Sequence, residues 1–267
     1  MSRIKQAYAD AVYEGRRPVI PCFPFPVNRR QKAFRFILEL AERVAPTGIG
    51  LVYPGRQVFV QHPAVAPAPE EFSEWDLFQF VYALKAQTGQ PVVLAIHYRD
   101  IVGFGVIPYG QEGHKVGLDA LLVRQPIVAE LDYFAAEMLQ HGVGLSFIID
   151  AGVDHSELTR LRRYATAFVY VADDMALSAV LASHETESAP VFHSCRRREP
   201  APGAQPGEPV RTGILLDHVL PGSPVNPTWE MTQLDQACRT VAESQNQLVM
   251  AADDERVDPF NLPEDGP

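Results

Sequence analysis

Short apolar runs rich in Val, Ile, Leu and Phe alternate along this chain with longer amphipathic stretches, and this alternation constrains the fold more than any other feature. Eight such runs occur, at residues 18–23, 48–53, 91–98, 120–123, 144–150, 167–172, 190–194 and 213–219. A run that stays apolar at successive positions is buried on both faces, the condition of a parallel strand covered by helices. Helix-period segments follow at 31–44, 71–87, 128–140, 156–164 and 175–184. The stretch 227–250 reads as a long closing helix, with Asn226 as its cap and Pro227 in its first turn. Eight βα units within about 250 residues are the arithmetic of an α/β fold of the (βα)8 TIM barrel type. An open doubly wound sheet is the competing architecture, but no GxGxxG follows any run to mark a dinucleotide site.

The seventh unit is irregular. Between the seventh and eighth runs lies RRREPAPGAQPGEPVRT, where prolines 200, 202, 206 and 209 remove backbone donors and prevent a stable helix. The expected domain organisation is one barrel over residues 1–250 and a tail over 251–267. That tail carries six acids, one arginine and three prolines within ADDERVDPFNLPEDGP, the composition of a solvated, disordered segment.

Of 267 residues, 33 are acidic and 23 basic, a formal charge of −10 that repels nucleic acid and anionic membrane surfaces. The only basic run is Arg196-Arg197-Arg198. Cys22, Cys195 and Cys238 are odd in number and lie far apart, so neither a disulfide framework nor a structural zinc site is indicated. With a polar, helical N-terminus and no long apolar window, the chain reads as a cytoplasmic protein without a signal peptide or membrane span.

Several stretches resemble the α subunit of tryptophan synthase. The Phe/Val-Pro-rich first strand of that family is similar to Pro18-Val19-Ile20-Pro21-Cys22-Phe23. Its second strand and loop, E-L-G-x-P-x-S-D-P-x-A-D-G-P, lies without a gap on GLVYPGRQVFVQHP at 50–63, matching at Leu51, Pro54 and Pro63. Its third strand resembles PVVLAIHYRDIVGFG, with a polar Gly-containing loop after the strand. Its fourth, G-x-D-x-x-L-V, matches Gly117-Leu118-Asp119-Ala120-Leu121-Leu122-Val123, and its sixth resembles Phe168-Val169-Tyr170. The resemblance covers roughly residues 1 to 180. It implies a (βα)8 lyase that cleaves indole-3-glycerol phosphate. It also implies no cofactor in this chain, and pyridoxal phosphate (PLP) in a partner β-type synthase.

The departures point elsewhere. The family's proton-shuttling glutamate falls on Gly50 and its indole-binding aspartate on Gln61. Glycine neither takes nor gives a proton, and a Gln amide cannot balance developing positive charge. The resemblance places the phosphate site in the loops after the seventh and eighth strands, where Gly222 and Ser223 offer donors and Arg196, Arg197 and Arg198 a guanidinium fork, against a competing reading of a solvated basic loop and an ordinary turn. It places Cys22, Tyr98, Arg124, Ile148 and Tyr170 around the ligand, and Pro54, Arg56 and Phe59, in the apolar-tipped loop 54–63, against the partner, together with the segment 175–188.

Catalysis in a (βα)8 barrel sits at the C-terminal rim of the strands, which here would hold His97, Asp150, Asp173, Asp174, His193, Asp217 and His218. His97, Asp150 and Asp173 are the candidate acid–base residues. No H-x-H or H-E-x-x-H spacing supports a metal. The four lysines, Lys5, Lys32, Lys85 and Lys115, fall in helices or connections, which argues against a Schiff-base aldolase. Two principal readings stay open. One is a catalytically reduced subunit that activates a PLP-dependent β-type synthase. The other is a carbon–carbon lyase acting on a different small substrate through the rim residues. A third, a barrel binding an aromatic ligand, rests on Tyr53, Tyr98 and Tyr170 near strand ends.

Overall fold

The runs of Val, Ile and Leu become strands because β-branched and aliphatic side chains pack on a pleated surface covered on both sides. In the computed structural model, which describes residues 2–26, 30–53, 73–149, 153–171, 190–194, 212–216 and 234–253, these are β1 (Val19–Pro24), β2 (Ile49–Val52), β3 (Val92–His97), β4 (Ala120–Arg124), β5 (Gly144–Ile149), β6 (Phe168–Val171), β7 (Val191–Ser194) and β8 (Thr212–Leu216). Each pairs in parallel with the next, and β8 closes on β1 with Ile20 opposite Leu215. The eight-stranded closed barrel expected from the sequence is the observed fold.

Helices α1 (Arg3–Tyr13), α2 (Arg30–Val44), α3 (Glu74–Thr88), α4 (Tyr98–Phe104), α5 (Val106–Lys115), α6 (Leu131–Gln140), α7 (His155–Tyr164) and α8 (Leu234–Asp253) accompany the barrel. Lys5, Lys32, Lys85 and Lys115 all lie on them. Two clusters make the core. Outward-facing side chains such as Phe23, Leu51, Leu94, Leu121 and Val169 pack against the helices. Inward-facing ones such as Ile20, Cys22, Val52, Ala95, Leu122, Ile148, Tyr170 and Phe192 fill the lumen, joined by Ile4 of α1. Tyr8 meets Phe192 edge-on at 5.7 Å, so α1 closes the N-terminal end of the barrel.

That closed end is fastened by ionic contacts. Asp119, 5% exposed, binds the Lys85 ammonium, accepts the Val92 N–H at 2.8 Å and lies 3.7 Å from the Arg3 guanidinium. Burial holds the Lys85 ammonium below its ordinary pKa, with Asp119 opposing that shift.

The third unit corrects the sequence reading. Residues 91–98 were expected as strand followed by a polar loop, but β3 ends at His97 and a helix pair, α4 and α5, follows directly. His97 is the cap of α4, and Gly105 at φ 103° turns the chain between the two helices. Gly110 suggests a loop, yet it is a close-packing position: a Cβ there would lie 2.7 Å from His141 Cδ2. The closing helix is described from Leu234, so the Asn226 and Pro227 cap lies outside the described residues, as do the expected helix 175–184 and the loop 196–211.

Candidate functional site

Register and alternation decide which side chains enter the lumen. Cys22 pairs with Gly50, Gly50 with Val93 and Val93 with Ala120, so these four face inward at one level. Four residues further toward the strand ends, His97 is paired with Arg124. The described part of the C-terminal rim therefore carries an imidazole beside a guanidinium, above a floor that contains Cys22 and Gly50.

Gly50, the position of the family's glutamate in the gapless register, has no room for a side chain. A Cβ built on it would overlap the Cys22 sulfur and stand 3.2 Å from both Cys22 Cα and Cβ. Cys22 is itself 3% exposed, with its sulfur 3.9 Å from the Ile20 carbonyl oxygen. The thiol thus occupies the space into which a residue-50 side chain would have to grow.

His97 is 9% exposed and both ring nitrogens are engaged. Nδ1 accepts the Arg99 N–H at 3.2 Å, and Nε2 lies 2.7 Å from Gln125 Oε1. A backbone N–H only donates, so Nδ1 presents its lone pair and the ring proton sits on Nε2, donating to Gln125. Gln125 has φ 50°, a conformation non-glycine residues rarely adopt. Pro126, which follows it, disfavours right-handed helix at this position.

Tyr98 is a correction. Its ring packs outside the barrel, edge-on to Phe134 at 5.1 Å, and its hydroxyl donates to Glu130 Oε2 at 2.7 Å. A side chain on the helix side of the sheet does not line the lumen. Burial, helped by Glu130, pushes the phenol far above its ordinary pKa. Tyr53 also leaves the lumen, donating to Glu74 Oε1 at 2.9 Å. Tyr170 and Ile148 do face inward, where both are buried. Asp150, Asp173, Asp174, Gln61, Asp217, His218, Gly222, Ser223, Pro54, Arg56 and Phe59 lie outside the described residues.

Two features were missed in reading the residues: the pressure of Cys22 on Gly50, which requires knowing that β1 and β2 are neighbours in this register, and the role of Gln125. Pro126 was the available signal for an unusual residue before it. Among the described residues, no group of three His, Cys, Asp or Glu side chains comes together to hold a metal ion. Nor, among them, is any helix long and apolar enough to cross a membrane.

Fold and rim together define a (βα)8 barrel whose inner wall is packed and whose described rim carries His97 and Arg124. Within that class the chain is similar to tryptophan synthase alpha chains, the family that the sequence resembles. The tryptophan synthase alpha chain of Methanoregula boonei is 23% identical over 156 residues, 56% of this chain and 59% of that relative. The chain thus matches less than two thirds of that relative's length. Tryptophan synthase from M. tuberculosis superposes with a TM-score of 0.74 at 17% identity, covering 92% of this chain and 100% of that one. A structure of the tryptophan synthase α2β2 complex from Pyrococcus furiosus, described as mutually activating, gives 0.64 at 17% identity over 87% and 97%. No family model matches the chain.

Proposed function

We propose that this chain is an alpha-like barrel that lacks indole-3-glycerol-phosphate lyase chemistry and serves as an accessory, allosteric subunit of a PLP-dependent β-type synthase. The observation that carries this reading is the Gly50–Cys22 approach. A general acid–base residue is absent from position 50, and the neighbouring thiol fills its space. Loss of such a group lowers a rate by about 10²–10⁴. A fold retained without its chemistry still has a surface, and a surface shifts a partner between states by binding one of them better. The Pyrococcus furiosus relative, solved as an α2β2 complex, supports a β-type partner. PLP belongs to that partner, and this chain carries no cofactor.

The docking face includes Pro54, Arg56 and Phe59. Titrating the chain into a β-type synthase from the same genome tests the proposal: the synthase rate changes saturably, and the two proteins co-elute. Absence of both effects refutes the subunit role.

The His97–Arg124 pair favours a second reading, a lyase on another small substrate with His97, Asp150 and Asp173 handling protons. Under it, His97 must first release Gln125 or the Arg99 N–H. Turnover of a small aldol-type substrate by the isolated chain, lost in His97→Gln, would favour this reading over the first.

A further inference from the structure

We infer that this chain pairs with a second copy of itself through the outward face of α3, the two helices lying antiparallel about a twofold axis. Exposed on α3 are Trp75, Gln79, Tyr82, Ala86 and Gln87, and none of them is charged. A helix on the surface of a barrel ordinarily turns its charged side chains to water. Those of α3 are engaged elsewhere: Glu74 accepts the Tyr53 hydroxyl, Asp76 binds Arg30 of α2, and Lys85 binds Asp119. Aromatic rings stand outside instead, with Trp75 54% and Tyr82 60% exposed. Trp75 also meets Phe104 of α4 edge-on at 6.2 Å, and Val102 and Ile107, which flank Phe104 in sequence, are exposed as well.

The spacing of this stripe selects the occupant. Trp75, Gln79, Tyr82 and Ala86 are separated by four, three and four residues, the spacing of a seam along which two helices pack. The pattern is symmetric about its centre. On an antiparallel second copy, Trp75 faces the partner's Ala86, so the largest side chain of the seam meets the smallest. Gln79 faces the partner's Tyr82, an amide against a phenol that can exchange a hydrogen bond. A twofold contact requires a patch that is self-complementary in this way. Charge selects the same face. Each copy carries a formal charge of −10, so two copies repel over most of their surfaces and meet at least cost where α3 exposes no charge. The pairing goes beyond the subunit reading and does not rest on it.

Sedimentation velocity of the full chain over a concentration series tests this. A reversible equilibrium between monomer and dimer is expected, with dimer predominant at about 100 μM, as for a dissociation constant in about the micromolar range. Tyr82→Glu, at an exposed position and with folding checked by its urea midpoint, should raise that constant about tenfold or more. Combining it with Gln79→Lys should restore the dimer. Antiparallel pairing sets the new ammonium against the new carboxylate twice, whereas parallel pairing sets like charges together. A wild-type chain that stays monomeric at about 100 μM overturns the inference, as does a dimer that folded Tyr82→Glu leaves at wild-type affinity. A double variant no better than Tyr82→Glu overturns the antiparallel register. A monomer whose binding to the β-type synthase is weakened by Tyr82→Glu overturns the pairing and gives the face to that partner.

Discussion

The sulfur of Cys22 on β1 stands where the Cβ of any residue larger than glycine at position 50 on β2 would have to be. Gly50→Ala is therefore an overpacking substitution inside a filled barrel, with an expected cost of about 1–3 kcal/mol. Cys22→Ala should relieve most of it, so the pair shows a large coupling in a double-mutant cycle followed by urea denaturation. Additive effects would mean that the two side-chain positions do not compete. The same contact revises how the family's chemistry could be restored. Gly50→Glu with Gln61→Asp, which would return the family's two acids to their aligned positions, is expected to fail unless Cys22 is also reduced to Ala or Gly.

Asp119 links β3, β4, α1 and α3 at the end of the barrel opposite the rim. Asp119→Ala leaves the Lys85 ammonium, whose side chain is 12% exposed, without its carboxylate and the Val92 N–H without its acceptor. A loss of about 3 kcal/mol is expected, measured as a lower urea midpoint at unchanged slope. A change under about 1 kcal/mol would show that this ion pair is not structural.

Arg30 on α2 binds Asp76 on α3 at 2.8 Å, and its hydrogen bond holds the carboxyl below the ordinary carboxylate range. A folded-state value below the unfolded one means that the contribution is fully present above about pH 4 and is lost as pH falls through the folded value. Arg30→Met should flatten the acid limb of the stability curve in that window. Because both side chains are partly exposed, the effect is small and reduced by salt. An unchanged acid limb would remove this pair from the account.

Phe59 and Arg56 are assigned to the partner face from sequence alone. In a folded Phe59→Ala variant, association with the β-type synthase should weaken by about 2 kcal/mol or more, as for a buried anchor. Arg56→Glu should chiefly slow association. Isothermal titration and stopped-flow mixing separate the two effects, and unchanged affinity and rate in both variants would move the docking face elsewhere.

The barrel was legible because the change of period from continuous apolar runs to helical spacing survives any detail of packing, as in 144–149 and 131–140. The α4–α5 pair was not, since Gly103, Gly105, Pro108, Gly110 and Gly113 read as breakers. Pro108 falls in the first turn of α5, where its missing N–H costs little, and Gly110 makes room for His141. Tyr98 was misassigned because a one-residue error at a strand end moves a side chain from lumen to outer core. His97 was identified from its place at a strand terminus. Its partner Gln125 depends on backbone geometry that residue types alone do not specify.

The central claim is tested most directly by indole release from indole-3-glycerol phosphate by the purified chain, assayed beside an active tryptophan synthase alpha chain. With Gly50 walled in by Cys22, release should stay at least about 10²-fold below that control, within the loss expected from removing a general acid–base group. Release at a rate comparable to the control would contradict the account.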